Sequence, residues 1–457
     1  MLSRRALLGG LTATLATTGL PSSAQSRARS APKPLAKDAV THDWASFLGP
    51  THDARSTETR LSRTLPPPLV WDAPKGEGYA SPAVVEGRLV MLHRVRDTEV
   101  VECLHPLTGA RQWQFPYATA YEDRYGYNNG PRSSPVIDKG RVFTVGAEGT
   151  LHCLDLATGR MHWKRDLRVD YRVKQEFFGA GSTPLIEGGR LIVNVGAPGA
   201  TVVALDPDTG KELWRAGKDW GASYASPTPA VIHGQRRVLI FGGGESQPPA
   251  GGLLCLDPAT GKIDFSFPWR SRTYESVNAS CPVVVGNAVF ISATYRTGSA
   301  CLDIRKDFTH AVRWTQRDVG LHFNTAIHQD GHLYAFDGRN EPDASLVCIN
   351  VASGEVVWRE VLEWDESIDG RRTTMGPYRG SLLAVDGQFL CLGEMGHLLW
   401  LDLSPAGVRQ LGRTWLFAAR ESWTLPVLSR GLLYVCQNSR DVLNRVEPRL
   451  ACYDLRA

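Results

Sequence analysis

Ser133-Ser134-Pro135-Val136-Ile137-Asp138-Lys139-Gly140-Arg141-Val142-Phe143-Thr144-Val145-Gly146-Ala147-Glu148-Gly149-Thr150-Leu151-His152-Cys153-Leu154-Asp155-Leu156-Ala157-Thr158-Gly159-Arg160-Met161-His162-Trp163 is the stretch that decides the fold. Its short apolar runs are broken by Lys139-Gly140, Glu148-Gly149 and Thr158-Gly159, which predicts four short strands joined by tight turns, the last ending at Trp163. A four-stranded unit of this size leaves both faces uncovered, so it requires neighbours of its own kind.

Those neighbours recur along the chain. Units start at Ser81-Pro82, Ser134-Pro135, Thr183-Pro184, Ser226-Pro227, Cys281-Pro282, Thr325-Ala326, Ser381-Leu382 and Leu425-Pro426, spaced 43 to 56 residues apart, the period of propeller blades. Glycine turns such as Gly189, Gly331 and Gly431 follow the starts. Each unit then closes on a second signature, as in Cys103-Leu104-His105-Pro106-Leu107-Thr108-Gly109 before Trp113, or Ala204-Leu205-Asp206-Pro207-Asp208-Thr209-Gly210 before Trp214. The acidic side chain caps the turn amides, the glycine takes the left-handed position, and the tryptophan wedges against the next unit. Units five and seven degrade this signature, at Cys301-Leu302-Asp303 and Trp400-Leu401-Asp402.

On these residues the chain resembles the PQQ-like eight-bladed β-propeller family, whose repeat is Ala/Cys-x-Asp-x-x-Thr-Gly-x-x-x-Trp; the resemblance runs from about Trp44 to the C-terminus. It implies an all-β fold of eight four-stranded antiparallel blades. For function it is less specific, because that fold serves quinoprotein dehydrogenases, an outer-membrane assembly lipoprotein and exported proteins of other kinds. Leu69-Val70-Trp71 looks like the outermost strand of a blade without the rest, while the last unit stops at Cys452-Tyr453-Asp454-Leu455, before any tryptophan strand. The N-terminal strand is therefore expected to close the ring against the C-terminal blade, removing the sheet edges.

Three regions are expected along the chain. Residues 1–24, with Arg4-Arg5 before a weakly apolar run and Ser22-Ser23-Ala24, read as a twin-arginine export signal, the alternative being an ordinary secretory signal; this places the protein in the periplasm or outside the cytoplasm. No cysteine precedes Cys103, so no lipid attachment is expected near the mature N-terminus. Residues 25–42 read as a flexible linker and 43–457 as the propeller, entered through Asp43-Trp44-Ala45-Ser46-Phe47-Leu48-Gly49-Pro50. This segment resembles the family's Trp-x-x-Phe-Arg-Gly-Pro entry, with Leu48 in the arginine position, and is expected to pack Trp44 and Phe47 over one face or the rim.

The formal net charge is +4, or +2 once Arg4 and Arg5 are cleaved away, and basic runs are lacking, which argues against nucleic acid as partner. The leader is too short and polar to remain as a membrane span, and a monomer is expected. Six of the nine cysteines, Cys103, Cys153, Cys255, Cys301, Cys348 and Cys452, occupy one repeat position, too far apart between blades to bridge; all nine read as buried free thiols.

The working face is expected where loops enter the innermost strands at the central channel. Two residues before each repeat start stand Tyr79, Arg132, Gly181, Tyr224, Ala279, Phe323, Arg379 and Trp423. Of these, Tyr79, Arg132, Tyr224, Phe323, Arg379 and Trp423 are the candidate ligand-binding residues: aromatics and two arginines suit a planar or anionic small molecule, a carbohydrate, or a protein partner. The competing reading is that they plug the channel mouth. The four tyrosines and Asn128-Asn129-Gly130 between Tyr117 and Arg132 suit a recognition lid or a self-packed surface loop, and the charged segment Trp364 to Arg379 reads as a solvated insertion.

The alternative function is a PQQ- and calcium-dependent dehydrogenase acting on alcohols or sugars. The resemblance would then imply a tryptophan floor, an adjacent cysteine pair, Glu/Asn/Asp calcium ligands and an aspartate base. No two cysteines are adjacent here, and Glu77 and Asn278 lie on the right kind of loop without completing a ligand set. No catalytic residue is assigned and no cofactor is established. His322, His328 and His332 are close in sequence, but the hairpin's alternation sends neighbours to opposite faces, so no shared metal is expected.

Overall fold

A computed structural model describes residues 26–85, 87–173, 177–218, 220–340 and 344–457. The export signal read over residues 1–24 lies outside the described residues. The deciding stretch forms one sheet of four antiparallel strands, Val136–Asp138, Arg141–Val145, Thr150–Asp155 and Met161–Asp166, in sequential order. Trp163 lies inside the fourth strand, opposite Cys153, instead of ending it. Eight such blades form the ring, so the fold is the expected all-β eight-bladed propeller. A one-residue irregularity follows the Cys103, Cys153, Ala204, Cys255, Cys301, Cys348 and Trp400 positions, so seven outer strand pairs break register at the same place, where the strand must twist toward the rim.

The closing signature has a geometric cause. The Trp113 indole donates to the Leu156 carbonyl at 2.9 Å, and a Cβ on Gly159 would sit 2.5 Å from the same ring. The tryptophan of one blade thus lies flat on the glycine of the next blade's turn. Trp163 on Gly210, Trp214 on Gly261 and Trp314 on Gly354 repeat the arrangement, each with an indole N–H donated to the neighbouring blade. The turn's φ near +70° and the ring contact both exclude a side chain, which is why glycine is required. Blade 5 therefore keeps its tryptophan, Trp314 opposite Cys301, despite the degraded turn. Blade 7 does not: Gly412 stands opposite Trp400, and Arg63 and Leu65 of the N-terminal segment cover the gap, with Arg63 4.2 Å over the Trp400 ring.

The ring closes as expected. Leu69–Pro74 pairs antiparallel with Arg449–Asp454, setting Trp71 opposite Cys452 in the register that Trp163 and Cys153 share. Within the stretch 25–42 read as a linker, residues 27–33 run along this seam. Arg27 and Ala28 pair with Asp72 and Trp71, the Lys33 amide donates to Asp454 at 2.7 Å, and Arg456 donates to the Lys33 carbonyl at 2.7 Å. The backbone amides satisfied by the edge strand offset the segment's lack of apolar residues.

The Ser/Thr starts also acquire a reason. The amide of Ser81 donates to the Ser134 hydroxyl at 3.0 Å, Ser134 to Thr183 at 2.9 Å, and Thr183 to Ser226 at 3.0 Å; Ser226 and Cys281 continue the chain through Cys281 Sγ and Thr325. These bonds stitch the innermost strands around the channel, where no ladder partner exists. All nine cysteines are buried and free. Trp364–Ile368 and Arg371–Met375 form a hairpin between blades 6 and 7, in which Glu366 meets His397 and Arg413. No helix among the described residues is long and apolar enough to cross a membrane.

Candidate functional site

The channel is closed from one end by the entry segment. Trp44 is fully buried and exchanges backbone hydrogen bonds with Val84 of blade 1, Ala45 accepts from Ile137 of blade 2, and Ala54 accepts from Ala384 of blade 7. The chain so strung across the ring carries Phe47, Leu48 and Ala54 to the floor of a cavity of about 480 Å³ that occupies the loop side of the channel. Packing of this segment over one face is thus realised as a plug inside the channel.

All eight residues of the repeat-equivalent ring, Tyr79, Arg132, Gly181, Tyr224, Ala279, Phe323, Arg379 and Trp423, line this one cavity. They converge because each stands two residues before the start of its blade's innermost strand, at the same place in every repeat. Tyr79 is held by its amide's bond to the Pro131 carbonyl and by Thr424, whose hydroxyl donates to the Tyr79 carbonyl at 3.0 Å. Beneath it the buried Lys75 ammonium donates to the carbonyl of Gly78 at 2.6 Å and to Asn438 at 3.2 Å. Of the four loop tyrosines, Tyr125 and Tyr127 reach the cavity, whereas Tyr121 is buried and Tyr117 packs on His152 at 4.4 Å.

An unbroken aromatic wall results. Ring centroids lie 5.4 Å apart between Phe323 and Trp423, 5.2 Å between Trp423 and Tyr79, 5.9 Å between Trp423 and Tyr127, 6.0 Å between Tyr127 and Phe178, and 5.6 Å between Phe178 and Tyr224. The arginines are built into that wall. Arg132 donates to Asp123 at 2.6 Å and to the Asn128 and Gly130 carbonyls, with its guanidinium 5.5 Å over Tyr79. Arg379 grips Glu394 through Nε at 2.9 Å and through an Nη, and stacks 4.8 Å over Trp423, whose indole donates to the same carboxylate at 2.7 Å. The Tyr79 hydroxyl donates to Glu421. Burial and that carboxylate drive the phenol's pKa up, so it stays protonated as a donor.

Sequence reasoning missed Phe178, Tyr295, His322, Arg339 and Asn340, which complete the lining. None sits at the repeat-equivalent position, and only the adjacency of His322 to Phe323 pointed toward the cavity. The His322 ring lies 6.3 Å from Tyr295 and 5.2 Å from Phe323, its Nδ1 is buried without a hydrogen-bond partner, and burial with the nearby Arg379 and Arg339 pushes its pKa down to about 3. His328 and His332 lie in the inner hairpin of blade 6 and are not among the residues lining this cavity.

Glu77 is engaged by the Asn129 amide at 2.9 Å, and Asn278 is a buried strut whose side-chain amide donates to the Gly242 and Trp269 carbonyls. Among the described residues no three His, Cys, Asp or Glu side chains are placed to hold a metal ion.

Fold and funnel together define an eight-bladed β-propeller with a cavity at the loop end of the central channel. The family model described as outer membrane protein assembly factor BamB, a PQQ-like repeat family, matches residues 96–360, more than half of the chain, and the chain belongs to that family. Among curated proteins it is 26% identical over 284 residues to the dehydrogenase subunit of an alcohol dehydrogenase (quinone) from Gluconacetobacter polyoxogenes, covering 54% of this chain and 35% of that one. It is 28% identical over 140 residues to the quinohemoprotein alcohol dehydrogenase ADH-IIG of Pseudomonas putida, covering 30% and 19%. To BamB of Xanthomonas campestris pv. campestris it is 32% identical over 91 residues, covering 19% and 21%. The chain thus spans between about a fifth and about a third of the length of these relatives. A solved europium-containing methanol dehydrogenase aligns with TM-score 0.65 at 12% identity, over 90% of this chain and 98% of that one; BamB from Moraxella catarrhalis gives 0.55 at 16%, over 85% and 97%. At such identities the likeness is one of fold.

Proposed function

We propose that this chain is an exported binding propeller whose funnel captures a small-molecule ligand. The observation that carries the reading is the convergence of eight repeat-equivalent residues on one cavity that has a closed floor, an aromatic wall and a volume within the range of small-molecule sites. A surface that merely plugged a channel would leave no such space. Location outside the cytoplasm is supported by the paired arginines and apolar run of residues 1–24. The binding test is a thermal-shift screen of the mature protein against soluble metabolites, repeated on Tyr127→Ala, a substitution at an exposed loop residue that leaves the core intact. Shifts that vanish in the variant support the reading; shifts that persist unchanged, or none in the wild type, overturn it.

A second reading, quinone-dependent oxidation of alcohols or sugars, is favoured by the names of the dehydrogenase relatives. Its test is addition of PQQ and Ca²⁺ to the mature protein, followed by absorbance and dye-linked oxidation. Absence of binding at micromolar PQQ eliminates it. The protein-partner reading, suggested by the name of the BamB relative, is tested by whether a captured partner is released by the same Tyr127→Ala change.

A further inference from the structure

The charge inventory of the funnel narrows the class of ligand, given that the funnel binds a small molecule as proposed above. Three arginines line the cavity, the two read from the sequence as suiting a planar or anionic ligand or a carbohydrate, and Arg339. The structure places four carboxylates with them: Asp123 on Arg132, Glu394 on Arg379, Glu421 on the Tyr79 hydroxyl, and Glu275 on the lining itself. The side chains of Asp123 and Glu394 are 0% and 1% exposed, so both carboxylates are held behind the wall, Asp123 by Arg132, the Tyr121 hydroxyl and the Tyr125 and Tyr127 amides, Glu394 by Arg379 and the Trp423 indole. Arg132 and Arg379 therefore present stacking planes, not free positive charge. Arg339, 4.3 Å over Tyr295, has no carboxylate ion pair among the described residues, and the lining also carries the exposed Glu275.

With Arg132 and Arg379 paired, most of what remains to recognise a ligand is uncharged. The aromatic wall offers flat apolar faces, Asn340 and Ser381 add an amide and a hydroxyl, and Thr183, Ser226 and Thr325 keep their hydroxyl hydrogens, their oxygens already accepting backbone amides. His322 contributes a neutral imidazole whose buried Nδ1 lacks a partner, a group that a ligand hydroxyl would satisfy. Alternating C–H faces and hydroxyl edges are the property of a pyranose ring: its C–H face lies on aromatic rings while its hydroxyls bond amides, hydroxyls and imidazole.

From the paired arginines, the aromatic wall and the unpartnered imidazole we infer that the funnel takes a neutral glycan, not a polycarboxylate. Tryptophan fluorescence of the mature full chain, read with Trp423 as reporter, is titrated with cello-oligosaccharide, with N-acetylchito-oligosaccharide and with benzenetricarboxylate, at low and high salt. The expected result is saturable change with at least one neutral oligosaccharide, an affinity unchanged by salt, and weakening by about tenfold in Tyr127→Ala and again in His322→Phe. Saturable binding of benzenetricarboxylate that weakens as salt is raised overturns the neutral class while leaving funnel binding standing. Oligosaccharide binding untouched by both variants places it elsewhere and overturns the inference. If neither class of probe binds, the neutral-glycan inference falls, while the small-molecule reading stands or falls with the thermal-shift screen above. Far-UV dichroism and melting of each variant verify that the propeller is intact.

Discussion

Arg379 and Glu394 form a two-bonded ion pair behind the funnel wall, with the carboxylate almost wholly buried and the Trp423 indole donating to it as well. The pair decides what mutation of the ring can report. Arg379→Ala strands a buried charge, so its first effect is on stability. Destabilisation of about 3–5 kcal/mol is expected. Urea denaturation measures it, and Arg379→Met combined with Glu394→Gln should recover much of the loss. Equal stability of Arg379→Ala and wild type would show that the carboxylate finds water or another cation.

The seam supplies a second test. Trp71 lies on Gly109, its indole donating to the Pro106 carbonyl at 2.8 Å, and a Cβ on Gly109 would fall 2.7 Å from the ring. Trp71→Ala removes a fully buried side chain and should cost about 3–5 kcal/mol. Gly109→Ala should cost upward of about 1–2 kcal/mol from its left-handed backbone alone, with the ring clash added. Both are read by chemical denaturation, and retained cooperativity with a lower midpoint is expected.

Acid sensitivity arises at His152. It is buried against Phe115 and Tyr117, and burial, with a contribution from Lys164, pushes its pKa down to about 4. The folded state therefore binds this proton less readily than the unfolded chain, whose histidine titrates near about 6.5. Stability should fall as pH drops through the interval between those two values, by at most about 1.4 kcal/mol per pH unit, and level off below it. His152→Phe should flatten that part of the stability–pH curve. An unchanged slope would assign the acid lability to other groups.

Asn278 separates a strut from a metal ligand. Replacing it by alanine leaves the Gly242 and Trp269 carbonyls without their donor and should cost about 1–3 kcal/mol, with melting unaffected by added Ca²⁺ in wild type and variant alike. A calcium-dependent rise in wild-type melting that Asn278→Ala removes would restore the metal reading.

Much of this molecule was legible in its sequence because a repeat writes one local solution many times over. The glycine under the tryptophan and the Ser/Thr that stitches the inner strands are demanded by contacts between successive blades, and the acidic cap by its own turn. Blade number, strand order and the completion of the last blade by Trp71 could therefore be read from spacing. The positions of Tyr79, Arg132, Tyr224, Phe323, Arg379 and Trp423 around one cavity followed from the same period. What the period could not carry is whatever differs between blades. Phe178, His322 and Arg339 enter the funnel from loops of unequal length, residues 27–33 find hydrogen bonds on the seam that their composition does not announce, and Phe47 becomes a floor only because the ring surrounds it. The charge of the funnel was likewise beyond one dimension: an arginine reads as a cation in sequence, and only the packing that buries Asp123 or Glu394 against it turns it into a neutral stacking surface.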